Sequence, residues 1–253
     1  MQYLCRKCNF LLLGVNMSKL QGSFTAMITP MKSNGDVDYD GFGRNVSFQV
    51  ESGIDGLLPL GTSGETPTLT EDEEEKIIDI ALPLIKDFNK KTGRDVKVVI
   101  GAGSNCTRDA VRYVDRAANK GADYALVVTP YYNKPNLSGM IGHFTAVAAE
   151  AKKPLVLYHI PSRTGQRLSI DFLGKLLEAV PQIKAVKEAD YDIARVVKAS
   201  TVFDKQLTFM AGNDDLWPVL MGLNYSALIS AAGNILAPTF VKMQKLFNEG
   251  KVQ

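Results

Sequence analysis

Eight short runs of apolar and β-branched residues recur along the chain, each followed by a stretch with helical spacing. The runs cover residues 24–29, 56–60, 96–101, 124–129, 155–160, 183–187, 207–212 and 227–231. Most are near-continuously apolar rather than alternating, the pattern of strands buried on both faces. The segments between them predict helices. Thr70-Glu-Asp-Glu73 fits a capping box, and Ile77, Ile78, Ile80, Ala81, Leu84 and Ile85 follow at helical spacing. Thr107 and Ser169 precede amphipathic segments and read as N-caps. Gly53, Gly121 and Gly222 fall where helices should stop, and residues 238–249 supply the last helix.

Eight strand–helix units predict an α/β fold of the (β/α)8 TIM-barrel type, in a single domain over residues 17–253. The rival is a doubly wound open sheet, which announces itself by a glycine-rich phosphate turn after its first strand. Here that strand runs into Thr29-Pro30, so the barrel is favoured.

Composition narrows the function classes. Of 253 residues, 45% are hydrophobic and 22% charged, which excludes a mainly disordered chain. No apolar run approaches the ~18–20 residues of a membrane span. The net charge of +2 is too balanced to suggest nucleic acid or an anionic membrane as partner. That charge comes from Arg6 and Lys7; residues 17–253 are neutral, with 27 charges of each sign. Cys5 and Cys8 form a lone CxxC in the same leader, without the further ligands a structural zinc site needs. Residues 1–16 are expected to be a non-native or unstructured leader, with Met17 the working start. The short apolar run after Arg6 and Lys7 has no secretory cleavage site behind it. Cys106 is the only cysteine in the body, which suggests a reducing, cytoplasmic setting.

A barrel of this type carries its chemistry at the C-terminal ends of the strands. Those positions read Gly61-Thr-Ser-Gly-Glu65, Thr129-Pro-Tyr-Tyr-Asn-Lys-Pro135, Tyr158-His-Ile-Pro-Ser-Arg-Thr-Gly165, Val186-Lys-Glu-Ala189 and Gly212-Asn-Asp214, with Ile229 in the last strand. By strand alternation Lys187 shares a face with Ala185 and Ile183, opposite Lys184 and Val186. If that face is the barrel interior, burial lowers the amine's pKa and makes it a nucleophile. Otherwise Lys187 is a strand-end lysine paired with Glu188 or capping a carbonyl. Tyr158 ends the adjacent strand; its phenol either shuttles protons for that amine or is a packed ring with a satisfied hydroxyl. The Gly61–Glu65 turn suits a carboxylate or phosphate, but its residues are also ordinary for a βα loop. Arg163 either holds a substrate carboxylate by a forked contact or is a solvated loop arginine.

Taken together, GTSGE, TPYYNKP, YHIPSRTG and VKEA resemble the dihydrodipicolinate synthase / N-acetylneuraminate lyase family of Schiff-base barrel lyases, over about residues 20–250. The resemblance implies that pyruvate condenses with Lys187 to an imine whose enamine attacks an aldehyde. It makes Lys187, Tyr158, Thr62 and Tyr132 the catalytic set, with Tyr132 reaching into a neighbouring subunit. Ser63 and the backbone at Ile229 would contact the pyruvate carboxylate, and Gly212 would line the pocket. Arg163 implies the synthase branch. There the aldehyde is aspartate 4-semialdehyde and the product, 4-hydroxy-tetrahydrodipicolinate, feeds lysine and diaminopimelate biosynthesis. No metal or organic cofactor is implied beyond the covalent imine. The resemblance also implies a homo-oligomer, a dimer or tetramer. In lysine-sensitive relatives the inhibitor lies near the positions of Asn105 and Tyr131. Two positions that are His in some of them are Glu71 and Glu74 here, so weak inhibition is expected.

Two departures shape the alternatives. His159 stands where the synthases commonly carry Asn and some aldolases of the family carry His. That leaves open a pyruvate-dependent class I aldolase acting on a 2-keto-3-deoxy sugar acid or 4-hydroxy-2-oxoglutarate. The chain also ends at Gln253. The family's C-terminal helical subdomain is therefore expected to be absent, and an inert barrel is the second alternative.

Overall fold

The computed structural model describes residues 20–251; the leader with Cys5 and Cys8, and Met17, lie outside the described residues. In chain order the elements are β1 (Gly22–Ala26), α1 (Tyr39–Glu51), β2 (Gly56–Leu58), α2 (Glu71–Thr92), β3 (Lys97–Gly101), α3 (Thr107–Lys120), β4 (Tyr124–Val128), α4 (Leu137–Glu150), β5 (Leu155–His159), α5 (Pro161–Thr164), α6 (Ile170–Ala179), β6 (Ile183–Glu188), α7 (Ile193–Val202), β7 (Thr208–Ala211), α8 (Trp217–Leu220), β8 (Tyr225–Ser230) and α9 (Gly233–Asn248). All eight strands pair in parallel, in sequence order, and β8 closes on β1.

Each strand divides its residues between two cores. Leu58, Val99, Leu126, Val156, Met210 and Ile229 fill the barrel interior. Their preceding or following neighbours Leu57, Val98, Val127, Leu157, Phe209 and Leu228 pack outward against helix residues such as Val46, Ile77, Phe144 and Leu176. Burial on both faces is why the strands read as continuous apolar runs.

The helices start and stop on local chemistry. Thr70 and Glu73 form the full capping box at α2, which ends at Gly93 in the left-handed conformation. Ser169 caps α6 by accepting from the Phe172 N–H. The N-cap of α3 is Cys106 rather than Thr107. The helix starts one residue early because Ser104 Oγ takes the Cys106 N–H, and the Thr107 hydroxyl lies 3.0 Å from His143 Nδ1. The last helix, α9, begins at Gly233 and kinks at Leu236, ahead of Pro238, whose nitrogen cannot donate.

One register detail departs from simple alternation. Leu155 pairs with Ile183, but Val156 pairs with Ala185, so Lys184 is an extra, exposed residue in β6. Ile183 consequently joins the outer core while Ala185 faces the interior. The expectation that Ile183 shares the face of Lys187 is therefore corrected, and the face itself is the barrel interior.

Strand ends crowd where β3 meets β2. A Cβ on Gly101 would stand 1.8 Å from the backbone oxygen of Leu60, and a carbonyl cannot yield as a side-chain tip can. Gly101→Ala is expected to lower the unfolding free energy by about 1–3 kcal/mol, read from the midpoint of urea denaturation.

Candidate active site

Parallel pairing sets Tyr158 of β5 against Lys187 of β6. Both side chains turn inward and both are buried. Lys187 Nζ lies 4.4 Å from the centroid of the Tyr158 ring. The interior around them is apolar, with Ala185, Ala189, Met210 and Ile229 among its residues. Desolvation pushes the Lys187 pKa from 10.5 down to about 8; the Asp214 carboxylate holds it up, and the Arg163 guanidinium pushes it down further. Neutral amine then rises from about one molecule in a few thousand to about one in ten at pH 7. Burial drives the Tyr158 phenol the other way, up to about 12, against opposing effects from Arg163 and a hydrogen bond with Thr62. The phenol is thus held protonated beside an amine that readily gives up its proton.

Pairing of Lys187 with Glu188 does not occur. Glu188 is on the opposite face of β6, where its carboxylate meets His159 Nδ1 at 2.6 Å and Arg195 Nη1 at 2.5 Å.

Four of the sequence-identified residues are brought together: Lys187, Tyr158, Thr62 and Arg163. Thr62 and the half-buried Ser63 stand on a 3-10 turn after β2, spanning Thr62–Gly64. Arg163 is on α5, the single helical turn that follows β5 and ends at Gly165 in the left-handed conformation. Its charge acts on both Tyr158 and Lys187. Thr62, Tyr158 and Arg163 line a cavity of about 360 Å³ that extends past Tyr131 to Glu71 and Glu74. Lys187 is not one of its lining residues, but the Tyr158 ring against which its amine packs is. Ile229 is fully buried in the interior layer, and Gly212 follows β7. The Gly212 N–H donates to the Glu188 carbonyl at 2.7 Å, and a Cβ there would stand 2.9 Å from Ala189 Cβ. Glycine lets β7 approach the end of β6 directly after Lys187.

The remaining residues are placed differently. Tyr132 is 90% exposed, with φ +68, so it does not enter the site of its own chain. Left-handed backbone at a residue with a side chain is strained, and such strain concentrates at functional loops. Tyr131 lines the cavity. The Asn105 carbonyl accepts from Asn133 Nδ2 at 3.1 Å, which ties the loop after β3 to the loop after β4.

Sequence reasoning passed over two features. The motif Gly212-Asn-Asp214 was legible, but the electrostatic hold of Asp214 on Lys187 needed coordinates; Asp214 Oδ2 accepts from the Ala232 N–H while its Oδ1 is buried without a partner. The second feature is a buried polar cluster of His159, Glu188 and Asp190 on the outer face of β5 and β6. Its ligand atoms lie within 4.8 Å of one another, close enough for a metal. The donor set argues against one. Arg195 and Arg167 already neutralise the carboxylates, and His159 Nε2 accepts from the Leu168 N–H at 3.0 Å.

The chain as a whole is similar to known proteins. The family model described as "Dihydrodipicolinate synthetase family" covers residues 19–253. The chain belongs to this family. A 4-hydroxy-tetrahydrodipicolinate synthase of Methanococcus aeolicus is 39% identical over 232 residues, 92% of this chain and 77% of the relative. The crystal structure of dihydrodipicolinate synthase from Aquifex aeolicus superposes with a TM-score of 0.84 at 37% identity, covering 92% of this chain and 76% of that one. A chloride-inhibited dihydrodipicolinate synthase from Acinetobacter baumannii, crystallised with pyruvate, gives a TM-score of 0.83 at 32% identity, covering 91% and 76%.

Keeping Lys187 dry costs stability. Its folded pKa near 8 lies below the 10.5 of an exposed lysine, so the charged amine is penalised in the folded state and the unfolded chain binds the extra proton between those two values. The cost of about 3 kcal/mol is complete below about pH 8 and fades as pH rises towards 10.5. Lys187→Met is expected to stabilise the fold by about 1–3 kcal/mol at pH 7. Urea titrations at rising pH should show that advantage shrinking.

Proposed function

We propose that Lys187 captures pyruvate as a covalent imine and that the protein condenses it with aspartate 4-semialdehyde to give 4-hydroxy-tetrahydrodipicolinate. The observation carrying this reading is the buried amine, shifted down to about 8 and facing the Tyr158 ring at 4.4 Å. The neutral Lys187 Nζ adds to the pyruvate C2 carbonyl. Tyr158 donates a proton to the developing alkoxide, takes one back from the added nitrogen and gives it to the departing hydroxyl, which leaves as water, while Thr62 hydrogen-bonds to its phenol. The phenolate takes a C3 proton to give an enamine, C3 forms the new bond to the aldehyde carbon as its oxygen takes that proton back, and the substrate's amino group then displaces Lys187 at C2, closing the ring and freeing the amine. The imine nitrogen is the electron sink, and no metal or organic cofactor takes part. Ser63 and the backbone at Ile229 serve the pyruvate carboxylate, and Gly212 leaves room beside it. Arg163 holds the carboxylate of the aldehyde substrate, which fits its place at the mouth of the cavity.

The working form in this proposal is a homo-oligomer in which Tyr132 completes the proton relay in a neighbour's site. Its 90% exposure and strained φ of +68 support that role. Among the described residues no helix is long and apolar enough to cross a membrane. The single cysteine of the barrel, Cys106, is free and fits a reducing cytoplasm. Weak feedback by lysine fits the far end of the cavity. Glu71 is paired with Arg112 at 2.6 Å and Glu74 with Arg116, so both carboxylates are already matched by guanidinium groups. Half-inhibition by submillimolar lysine would contradict this part of the reading.

Borohydride reduction in the presence of pyruvate is expected to add one pyruvyl mass at Lys187, located by peptide mass spectrometry. The trapping rate should rise with pH and level off above about 8, as the amine deprotonates. Arg163→Ala should raise the aldehyde KM by about tenfold or more while pyruvate is still trapped at Lys187, its pH profile moved upward by loss of the guanidinium charge. Unchanged aldehyde kinetics would move the assignment to an aldolase of the same chemistry.

A further inference from the structure

Behind the two reacting side chains lies a polar network that the mechanism above does not use. The rung after Tyr158↔Lys187 is His159↔Glu188, and these side chains point away from the barrel interior. They meet at 2.6 Å, and both are buried. The tautomer of His159 is fixed by its surroundings. Nε2 accepts from the Leu168 N–H at 3.0 Å, so the proton sits on Nδ1 and is donated to Glu188 Oε1. Glu188 Oε1 also accepts from the Asp190 N–H at 3.0 Å, and Oε2 accepts from Arg195 Nη1. Arg195 Nε in turn donates to the Leu168 carbonyl at 2.6 Å. Both polar groups of the Leu168 backbone are thereby held, one by His159 and one by Arg195.

Leu168 closes the loop that begins after β5 and carries Arg163. We infer that His159, with Glu188 and Arg195, is a positioning residue with two separable jobs. Its Nδ1 bond fixes β5 against β6 and hence Tyr158 against Lys187, while its Nε2 bond seats the Arg163 loop. The inference rests on the imine reading above, because it assigns meaning to the Lys187–Tyr158 separation. The bulge at Lys184 gives the first job its importance. A one-residue irregularity lies at the start of this strand pair, three rungs before His159↔Glu188, and a buried charge-assisted bond at the far end holds the register that follows it.

Two variants divide the jobs by reach. In His159→Asn the amide nitrogen can occupy the place of Nδ1 and keep Glu188, but no atom reaches the Leu168 N–H. In His159→Gln the longer amide reaches the Leu168 N–H and gives up the Glu188 bond. Cyanoborohydride trapping of pyruvate reads the first job, and the steady-state KM for the aldehyde reads the second. His159→Asn should trap pyruvate within about twofold of the parent rate while its aldehyde KM rises about fivefold. His159→Gln should trap about tenfold more slowly, with the half-rise of its trapping rate moved towards higher pH as water reaches the amine. A purely structural histidine would lower unfolding stability in both variants and leave the trapping rate, its pH profile and the aldehyde KM unchanged. That result, or the same loss of all activities in both, overturns the inference. Failure of the parent protein to trap pyruvate would instead overturn the imine reading.

Discussion

The site depends on keeping one lysine amine out of water without giving it a counter-ion in contact. Strand alternation does most of this work. Lys187 lies between Ala185 and Ala189 on the inward face of β6, and the barrel interior beside it is built from Met210, Ile229, Val156 and the Tyr158 ring. Closure of β8 on β1 leaves the sheet without an edge through which water could reach that layer. The surrounding charges tune the amine rather than neutralise it. Asp214 and Arg163 act on it in opposite directions, and burial outweighs both. The outcome is an amine largely protonated at pH 7 yet close enough to its titration for a useful neutral fraction to be present.

The barrel was legible because its strands are buried on both faces, so the primary sequence carries eight apolar runs of strand length. The inward placement of Lys187 beside Tyr158 was legible because the two residues end neighbouring runs and alternation puts Lys187 on the face of Ala185. What the sequence did not reveal depends on single-residue register. Lys184 as a bulge cannot be told from Lys184 as an alternating outward residue by inspection, since an exposed lysine suits both; only the pairing of Val156 with Ala185 decides. Thr107 looked like a cap because threonine favours that position, but a serine two residues before Cys106 took the backbone N–H and moved the helix start. Asp214 and the cluster around His159 combine residues from separate strands and loops, and their meaning emerges only when the strands are in register.

Arg163 shows how the fold shares one charge among several tasks. It lies on a four-residue helix bounded by Pro161 and a left-handed Gly165, a short rigid turn between β5 and the loop to α6. Its guanidinium favours deprotonation of both Lys187 and Tyr158 while remaining at the mouth of the cavity. A carboxylate bound there would offset that charge and raise the affinity of both groups for protons. In the proposed reaction, binding of the aldehyde's carboxylate would then strengthen the phenol's hold on its proton and favour positive charge on the Lys187 nitrogen at the imine stage.

Lys187 and Glu188 are adjacent in sequence and need opposite environments, and the pleat satisfies both. The inward face offers Lys187 hydrocarbon and an aromatic ring. The outward face gives Glu188 a histidine N–H, a guanidinium and a backbone N–H, enough donors to satisfy a buried carboxyl group. Had the two been exchanged by a one-residue slip, the carboxylate would stand unpaired in the barrel and the amine would be matched by acids in the outer layer. Register error is thus opposed twice, by a desolvated charge on one face and a broken ion network on the other. The same arrangement that keeps the amine dry therefore also helps to specify the strand pairing that presents it.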